Sequence, residues 1–367
     1  MVGFLKNILG GRKPGFAVEI TADKINIAEI KKQGNQTKLV ILASTEVPED
    51  VFIEGQIMER TTVAELIESL VADNNIKAKQ VATAIPGREA VTRVIPVPTE
   101  LWENDVELKN YMEQEAGLYL PYPREEADLD YQKLGTILDP ADDLEKVQVA
   151  LVATRKDVTD TYIDIFSQAG LAIDVLEVSN FSLIRSVRSI LQQYGPQEAI
   201  VIADLEFDST ELAIVVDGIP QFNRTIPIGT YQMQSALNEA MNLPPTRDTT
   251  ELLGMTVPVL DTMGAGSSDP NPGTNALLKV LAELGDELRR SIDFYLSQFE
   301  DLEVAQLLIA GPGAAIGQID DFFMQRLSLP ATKVDPIAEL AIETEREIPP
   351  EERSGLGIVL GLALREV

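Results

Sequence analysis

The chain of 367 residues contains no histidine and no cysteine. Their absence excludes a Ser-His-Asp triad, a cysteine nucleophile, an imidazole base, a Cys/His zinc site and disulfide bonds. Any chemistry is therefore left to carboxylates, lysines, hydroxyls, backbone amides or a hard cation such as Mg²⁺. Hydrophobic residues make up 45% of the chain, which excludes wholesale disorder, and the length corresponds to roughly two domains.

Basic residues are scarce, with 30 Lys and Arg against 59 Asp and Glu and a net charge of −29. Proteins that bind nucleic acids neutralise phosphates with Lys and Arg, so this composition argues against a nucleic-acid partner. The first 40 residues are an exception, because they carry seven basic and three acidic side chains and a net charge of +4.

Long apolar runs are also missing, since no stretch approaches the roughly 20 residues that span a bilayer. The longest, residues 356–364, predicts a short buried helix. Residues 1–13 place apolar side chains at helical spacing ahead of two basic residues, which reverses the order of a signal peptide. This segment is either a loosely packed N-terminal helix or a weak contact to a membrane or a partner. We predict a cytoplasmic protein.

Two parts of the chain show the same order of predicted elements, three strands followed by a helix. Each copy has an acidic residue just before its first turn, Glu19 and Asp204. This repetition predicts a duplicated α/β unit. The first copy comprises strands at 16–20, 25–30 and 38–43, a helix at 59–72 and a further strand at 81–85; the second comprises strands at 199–205, 210–216 and 221–226 and a helix at 230–241.

The region between the two copies has a different pattern, strand–helix–strand–strand, which predicts a small inserted subdomain. Its elements are predicted at 91–98, 106–118, 128–134 and 146–154. Beyond the second copy, residues 257–274 predict a mobile loop, 277–299 a long helix and 304–310 a buried strand, while the acidic, proline-broken segment 336–353 predicts surface chain.

Three turns that follow predicted strands are candidates for phosphate binding, at 21–24, 206–210 and 311–314. Each turn offers backbone N–H groups to an anion, although a tight turn after a strand is usually only a turn. The turns occupy matching points of the two copies, with the third before a C-terminal helix. Together they predict a nucleotide cleft between two domains.

The chain resembles the PilM family of actin-like type IV pilus assembly proteins, relatives of the cell-division protein FtsA. The most specific segment is 115–126, EAGLYLPYPREE, which is similar to the family's E-x-x-x-Y-I-P-F-P-x-E-E. The resemblance covers nearly the whole chain. Further matching segments are AIPG at 84–87, LVATRK at 151–156, AGL at 169–171, PIG at 227–229, ELRRSIDFY at 287–295 and GLALR at 361–365.

The resemblance implies an α/β, actin/Hsp70-like (ribonuclease H-like) duplicated fold with an FtsA-type inserted subdomain. It further implies a scaffold at the cytoplasmic face of the inner membrane, peripheral to it through partners. The implied partners are the cytoplasmic N-terminal peptide of PilN, the pilus motor ATPases and the platform protein. The domain ranges are an N-terminal amphipathic segment at 1–13, a first lobe at 14–88 and 151–194 with the inserted subdomain at 89–150, a second lobe at 195–229 and 304–335 with a helical subdomain at 230–303, and an acidic linker with the C-terminal helix of the first lobe at 336–367.

The phosphate turns depart from the family. Its first pattern, D-I-G-x-x-x-x-K, corresponds to EITADKIN at 19–26, with Asn26 at the lysine position. Its second pattern, D-I-G-A-x-x-T, corresponds to DLEFDST at 204–210, where Glu206 replaces a glycine. Carried over by position, the nucleotide site comprises Thr21, Ala22, Asp23, Asn26, Asp204, Ser209, Thr210, Gly311, Gly313 and Ala314, with Asp204 as the candidate Mg²⁺ ligand.

Three states of this cleft stay open at this point: loss of nucleotide binding, ATP binding with negligible turnover, and true ATPase activity. Added carboxylates disfavour a polyanion, because two unit charges about 4 Å apart interact by roughly 4 kcal/mol at an effective dielectric constant near 20. ATP and Mg²⁺ are therefore the candidate cofactors, and the sequence leaves open whether the protein has kept or lost the ability to bind them. The sequence shows no well-placed base or cation for hydrolysis, so we predict that the protein is not an enzyme.

The resemblance also places the PilN peptide in a groove beside the inserted subdomain. Arg88, Arg93, Tyr119 and Tyr122 are the candidate contacts, and an incoming strand would pair with an open sheet edge there. The alternative is that the tyrosines only pack the subdomain against its neighbour.

Two other functions compete. A sugar kinase needs a catalytic Asp and intact glycine-rich phosphate turns, and both turns depart from that pattern here. A filament of the FtsA type would end in a membrane helix, whereas this sequence ends directly after a core-like segment.

Overall fold

The computed structural model describes residues 16–34, 36–139, 144–258, 271–299, 301–345 and 347–365. The predicted N-terminal segment 1–13 and most of the predicted loop 257–274 lie outside these ranges. The strands are β1 (Phe16–Ile20), β2 (Lys24–Gln33), β3 (Gln36–Glu46), β4 (Phe52–Ile53), β5 (Gln56–Ile57), β6 (Gln80–Ile85), β7 (Ala90–Pro98), β8 (Ala127–Asp139), β9 (Leu144–Arg155), β10 (Ala172–Val178), β11 (Glu198–Leu205), β12 (Thr210–Val216), β13 (Ile219–Ile226), β14 (Glu303–Ala310), β15 (Ala331–Lys333) and β16 (Ile342–Thr344). The α-helices are α1 (Arg60–Asp73), α2 (Asp105–Glu115), α3 (Lys156–Gln168), α4 (Ser179–Ser186), α5 (Arg188–Leu191), α6 (Thr230–Met241), α7 (Thr250–Leu253), α8 (Pro272–Leu296), α9 (Ile319–Leu327), α10 (Pro336–Glu339), α11 (Pro350–Arg353) and α12 (Gly357–Ala363).

The first lobe is built on a sheet with the strand order β10-β6-β1-β2-β3-β16. Strand β2 pairs antiparallel with both β1 and β3, whereas β6 is parallel to β1 and β10 is parallel to β6. Every residue of the central strand β1 is buried, because helices and loops cover both faces of the sheet.

The second lobe repeats this arrangement in the strand order β13-β12-β11-β14-β15. Again the first three strands in sequence are antiparallel, the fourth is parallel to the first and the fifth is parallel to the fourth. The two sheets therefore share one topology, as the repeated strand pattern predicts. Each lobe brings the turn after its first strand to the carboxyl end of that strand, where ligands of open α/β sheets bind.

A third sheet, with the strand order β7-β9-β8, is antiparallel throughout and lies between β6 and α3 in the chain. Helix α2 packs on it, and Leu108 and Met112 join a small core with residues of β7 and β9. Asn104 caps this helix by accepting a hydrogen bond from the backbone N–H of Glu107 (3.2 Å). The elements follow the predicted order strand–helix–strand–strand, while the domain boundaries stay predictions.

Helix α8 begins five residues before the predicted start and ends before the predicted end. The start is set by Asn271, which accepts a hydrogen bond from the N–H of Thr274 (2.8 Å), and by Pro272 at the first turn, where a missing N–H costs nothing. A stripe of buried side chains then faces the sheet of the second lobe: Leu277, Leu281, Leu284, Leu288 and Ile292.

The C-terminal part of the chain returns to the first lobe. Segment 336–353, predicted as surface chain, contains β16, which pairs parallel with β3 and buries Ile342. The prediction missed this strand because three residues show too little alternation to be recognised. Helix α12 is buried throughout and packs against α4, and Arg365 beyond it forms an ion pair with the buried carboxylate of Glu177.

Candidate functional site

The turn after β1 and the turn after β11 face each other across a cavity of about 350 Å³ between the two lobes. Thr21 and Ala22 line it from the first lobe, and Asp204 and Ser209 line it from the second. The structure thus brings together two of the three predicted phosphate turns. Asp23, Asn26 and Thr210 belong to the same hairpins but lie outside the cavity lining.

The turn after β1 uses its own polar groups internally. The backbone N–H of Thr21 donates to the carbonyl of Lys24 (2.9 Å), and the Thr21 hydroxyl donates to Asp23 Oδ1 (2.7 Å). Asn26, at the family's lysine position, donates from Nδ2 to Glu19 Oε2 (2.9 Å). Asn26 therefore serves the neighbouring carboxyl group and does not supply a positive charge to the cavity.

The turn after β11 is held by the first turn of helix α6. The N–H groups of Thr230 and Tyr231 donate to the carbonyls of Glu206 and Phe207, at 2.9 Å each. A helix N-terminus offers free N–H groups to anions, but here these two donors are already used. Gly229 makes this contact feasible, because a Cβ there would lie 2.5 Å from the Phe207 carbonyl oxygen.

The third predicted turn supports the second turn and does not line the cavity. Gly311 has a φ of +78°, and a Cβ on it would lie 2.6 Å from the carbonyl oxygen of Leu205. Gly313 approaches the Leu205 side chain equally closely, since its Cβ would lie 2.7 Å from Leu205 Cβ. Ala314, which follows, is buried. These glycines are needed for packing against β11.

Carboxyl groups dominate the cavity electrostatically. Burial raises the pKa of Glu19 to about 7, although the Asn26 hydrogen bond acts in the opposite direction. Burial, followed by the nearby charges of Glu19 and Glu211, raises the pKa of Asp204 well above its usual value. The pKa of Glu206 is likewise raised well above its usual value by burial and by Asp204. Ionising these groups together is costly, because each charge repels the next in a poorly solvated space.

The candidate Mg²⁺ ligand Asp204 is 2% exposed, so water has little access to it. Within the described ranges, no group of three acidic side chains is arranged to hold a metal ion. The Ser179 hydroxyl also lines the cavity, is buried and has no hydrogen-bond partner among the described residues. The role of Asp204 as a metal ligand stays a prediction.

Two arginines cross between the lobes at this site. Arg88 of the first lobe forms an ion pair with Asp208 (3.1 Å) in the turn after β11. Arg247, which follows α6 in the second lobe, donates to the carbonyl of Ala22 (2.8 Å) in the turn after β1. The sequence analysis missed Arg247, because an isolated arginine in a polar segment gives no local signal. It assigned Arg88 to the partner groove, whereas the structure places its side chain in the cavity lining.

The other candidate partner residues lie on or beside the inserted sheet. Arg93 on β7 is exposed and donates to the carbonyl of Thr92 (3.1 Å). Tyr119 packs against the small core of this subdomain. Tyr122 is half-buried, and burial raises its pKa while the charge of Arg155 lowers it. The hydroxyl of Tyr122 has no hydrogen-bond partner among the residues that the structure describes.

Across the described ranges, each helix is either too short or too polar to cross a lipid bilayer.

Residues 17–367 match the model of the family described as type IV pilus assembly protein PilM. Among solved structures, the chain is similar to the PilM–PilN type IV pilus biogenesis complex, with 25% identity, a TM-score of 0.78 and coverage of 97% of this chain and 99% of that chain. It is also similar to the ethanolamine utilization protein EutJ from Carboxydothermus hydrogenoformans, with 12% identity, a TM-score of 0.54 and coverage of 99% and 94%. MreB5 of Spiroplasma citri bound to ADP gives 12% identity, a TM-score of 0.52 and coverage of 95% and 94%. The predicted actin-like fold is confirmed.

Proposed function

This chain belongs to the PilM family of type IV pilus assembly proteins, and we propose that it is a scaffold of the type IV pilus machine that binds the cytoplasmic N-terminal peptide of PilN. The similarity to the PilM–PilN complex carries this proposal, because it extends over almost the full length of both chains. Through PilN the scaffold would lie at the inner membrane and contact the pilus motor ATPases and the platform protein. The family favours this function over an FtsA-type filament.

The junction of the inserted subdomain and the first lobe is the proposed peptide groove. Strand β8 is an edge strand of the inserted sheet, so its outer side offers main-chain groups to an extended peptide. Tyr122 lies at this junction, close enough to Arg155 and Glu89 for their charges to affect its pKa. Its hydroxyl has no hydrogen-bond partner among the described residues. That hydroxyl is enclosed by the protein, so a peptide carbonyl accepts a hydrogen bond from it only when the junction opens around Tyr122. Arg93 on β7 is exposed and supplies positive charge to the same subdomain.

A labelled PilN peptide tests the groove by fluorescence anisotropy. Tyr122→Phe removes one buried hydroxyl with little change in shape, and we expect about fivefold to tenfold weaker binding, the usual value of one hydrogen bond. Arg93→Glu is expected to weaken binding further at low salt. Arg326→Glu on the second lobe is the control. Unchanged affinity in Tyr122→Phe and in Arg93→Glu, which lies on the opposite edge strand β7, would place the peptide away from the inserted subdomain.

The predicted nucleotide cleft is, we infer, degenerate in this protein, whereas the structurally similar MreB5 is bound to ADP. Several carboxyl groups line it, the N-terminus of α6 is engaged by the turn after β11, and the Thr21 hydroxyl is engaged by Asp23. Coordination of Mg²⁺ would require a carboxyl group such as Asp204, whose pKa is raised well above its usual value, to ionise beside the negative charge of a triphosphate. The residues present therefore do not fit Mg-ATP, and no hydrolysis is proposed.

Equilibrium binding of labelled ATP with Mg²⁺ tests this inference on the wild-type protein. We expect a dissociation constant weaker than about 10 µM, which corresponds to less than roughly 7 kcal/mol. Glu206→Gly restores the family's residue and removes one carboxyl group, so at least tenfold tighter binding is expected. Wild-type affinity tighter than this limit contradicts the degenerate cleft.

A further inference from the structure

The guanidinium group of Arg88 contacts residues of both lobes across the cleft. Its Nη1 lies 3.1 Å from Asp208 Oδ2 and 3.3 Å from the Ser209 hydroxyl, both on the second lobe. Its Nη2 donates to the carbonyl of Gly55 (2.9 Å) on the first lobe. Gly55 has a φ of +79°, and a Cβ there would lie 2.6 Å from the guanidinium carbon, so only glycine leaves room for this arginine.

Arg247 makes the reciprocal crossing, from the second lobe to the first. Its Nη2 donates to the carbonyl of Ala22 (2.8 Å), and its guanidinium lies 4.8 Å from the ring centre of Phe207. The ring belongs to the turn after β11, so one side chain contacts both turns. A cation over an aromatic face in a partly buried position contributes to stability beyond the hydrogen bond.

The positive charge available to a phosphate group is limited. Of the described residues that line the cavity, Arg60 and Arg88 are basic. Arg60 lies 3.7 Å from Asp164, and both side chains are well exposed. Among the described residues that line the cavity, Arg88 is therefore the cation that contacts the turn after β11, and Asp208 forms an ion pair with it.

We propose that Asp208 excludes polyphosphate from the cleft by holding Arg88, and that the bridges of Arg88 and Arg247 keep the two lobes together without nucleotide. The exclusion of polyphosphate deepens the degenerate cleft and rests on that proposed function. The bridges do not, because they are formed by protein groups alone. A phosphate group that enters must displace Asp208 from Arg88 and accept the repulsion of the freed carboxylate.

Hydrogen–deuterium exchange without nucleotide tests the bridges in the full chain. Asp208→Asn removes the ion pair while keeping the shape, and Arg247→Met removes the guanidinium while keeping the apolar stem. Each variant is expected to speed exchange at residues 17–25 and 203–210 about fivefold, the effect of one partly buried interaction. The matched control is Asp286→Asn, which breaks the ion pair of Asp286 with Arg326 (2.7 Å) on the second-lobe surface. If neither variant exchanges faster than this control, the bridges do not hold the lobes.

Binding of inorganic triphosphate, measured by calorimetry, tests the exclusion. Asp208→Asn is expected to bind triphosphate at least fivefold more tightly than wild type, and the added change Arg88→Gln is expected to abolish the gain. Equal affinities of wild type and Asp208→Asn overturn the exclusion, and a gain that survives Arg88→Gln overturns the role of Arg88. Tight ATP binding by wild type would instead contradict the degenerate cleft, and leaves the exchange experiment as a separate test of the bridges.

Discussion

Replacing Glu19 by glutamine should stabilise the protein relative to the wild type, by an amount that grows as the pH rises. Glu19 is buried beside Asp204 and Glu206, and burial raises its pKa to about 7 from an ordinary value of 4.5. Glutamine has nearly the same shape and keeps an acceptor for the hydrogen bond from Asn26, which spans 2.9 Å in the wild type. The substitution therefore removes the ionisation and little else.

The sign and size follow from the two pKa values. Below pH 4.5 the carboxyl group is protonated in both folded and unfolded states, so ionisation contributes nothing. Between pH 4.5 and about 7 only the unfolded state loses its proton, so the free energy of unfolding of the wild type falls as the pH rises. Above pH 7 the penalty is constant at about 3 kcal/mol, since each pKa unit corresponds to roughly 1.4 kcal/mol. Glu19→Gln escapes this penalty.

Urea denaturation followed by circular dichroism at pH 5, 6, 7 and 8 measures the effect. The difference in free energy of unfolding between variant and wild type should grow by about 2.5 kcal/mol across this range, because part of the penalty is already present at pH 5. Any fixed cost of the new amide group cancels in that comparison. Glu68→Gln, an exposed position on α1 of the same lobe, is the matched control for the exchange of a carboxyl for an amide group.

A difference that stays constant with pH to within about 0.5 kcal/mol would refute the reasoning. It would mean that water reaches Glu19 well enough to stabilise its charge. A difference that falls as the pH rises would show that the fold stabilises the Glu19 carboxylate. That result would contradict the argument that burial among other carboxyl groups disfavours its charge.

Two further variants test how the lobes are built. Glu177→Gln removes the carboxylate that pairs with the buried Arg365 and should lower the free energy of unfolding by about 3–5 kcal/mol at pH 7. Burial alone would raise the pKa of Glu177, but its arginine partners lower it below 4.5, so the stabilisation is lost as the pH falls below that value and the two proteins should converge in urea denaturation. Gly170→Ala and Gly311→Ala both place alanine at a positive φ, which should lower the free energy of unfolding by about 1–2 kcal/mol. At Gly311 the new Cβ also meets the carbonyl oxygen of Leu205, whereas at Gly170 nothing lies within 4 Å. Thermal unfolding should therefore show the larger loss of stability for Gly311→Ala, and equal losses would contradict the close packing.

Elements with strong local patterns were predicted well. The strands of both lobes were recognisable because apolar residues alternate with polar ones or form short runs of a few residues. The turns after β1 and β11 were recognisable because polar residues separate one strand from the next. The same order of elements in two parts of the chain was enough to predict the duplication. Strand β16 was missed, because its three residues are a strand only through pairing with β3.

The amino-acid sequence by itself determined the repeated fold, the positions of the turns that were predicted to bind phosphate and the acidic residues that replace family residues within them. Only the tertiary structure decided what those turns contact. Arg88 and Asp208 are 120 residues apart in the chain, and Arg247 and Ala22 are 225 residues apart. Periodicity and turn chemistry act over a few neighbouring residues, whereas a charge pair across a cleft depends on how two lobes pack, and that packing brings Arg88 to Asp208 and Arg247 to the turn after β1.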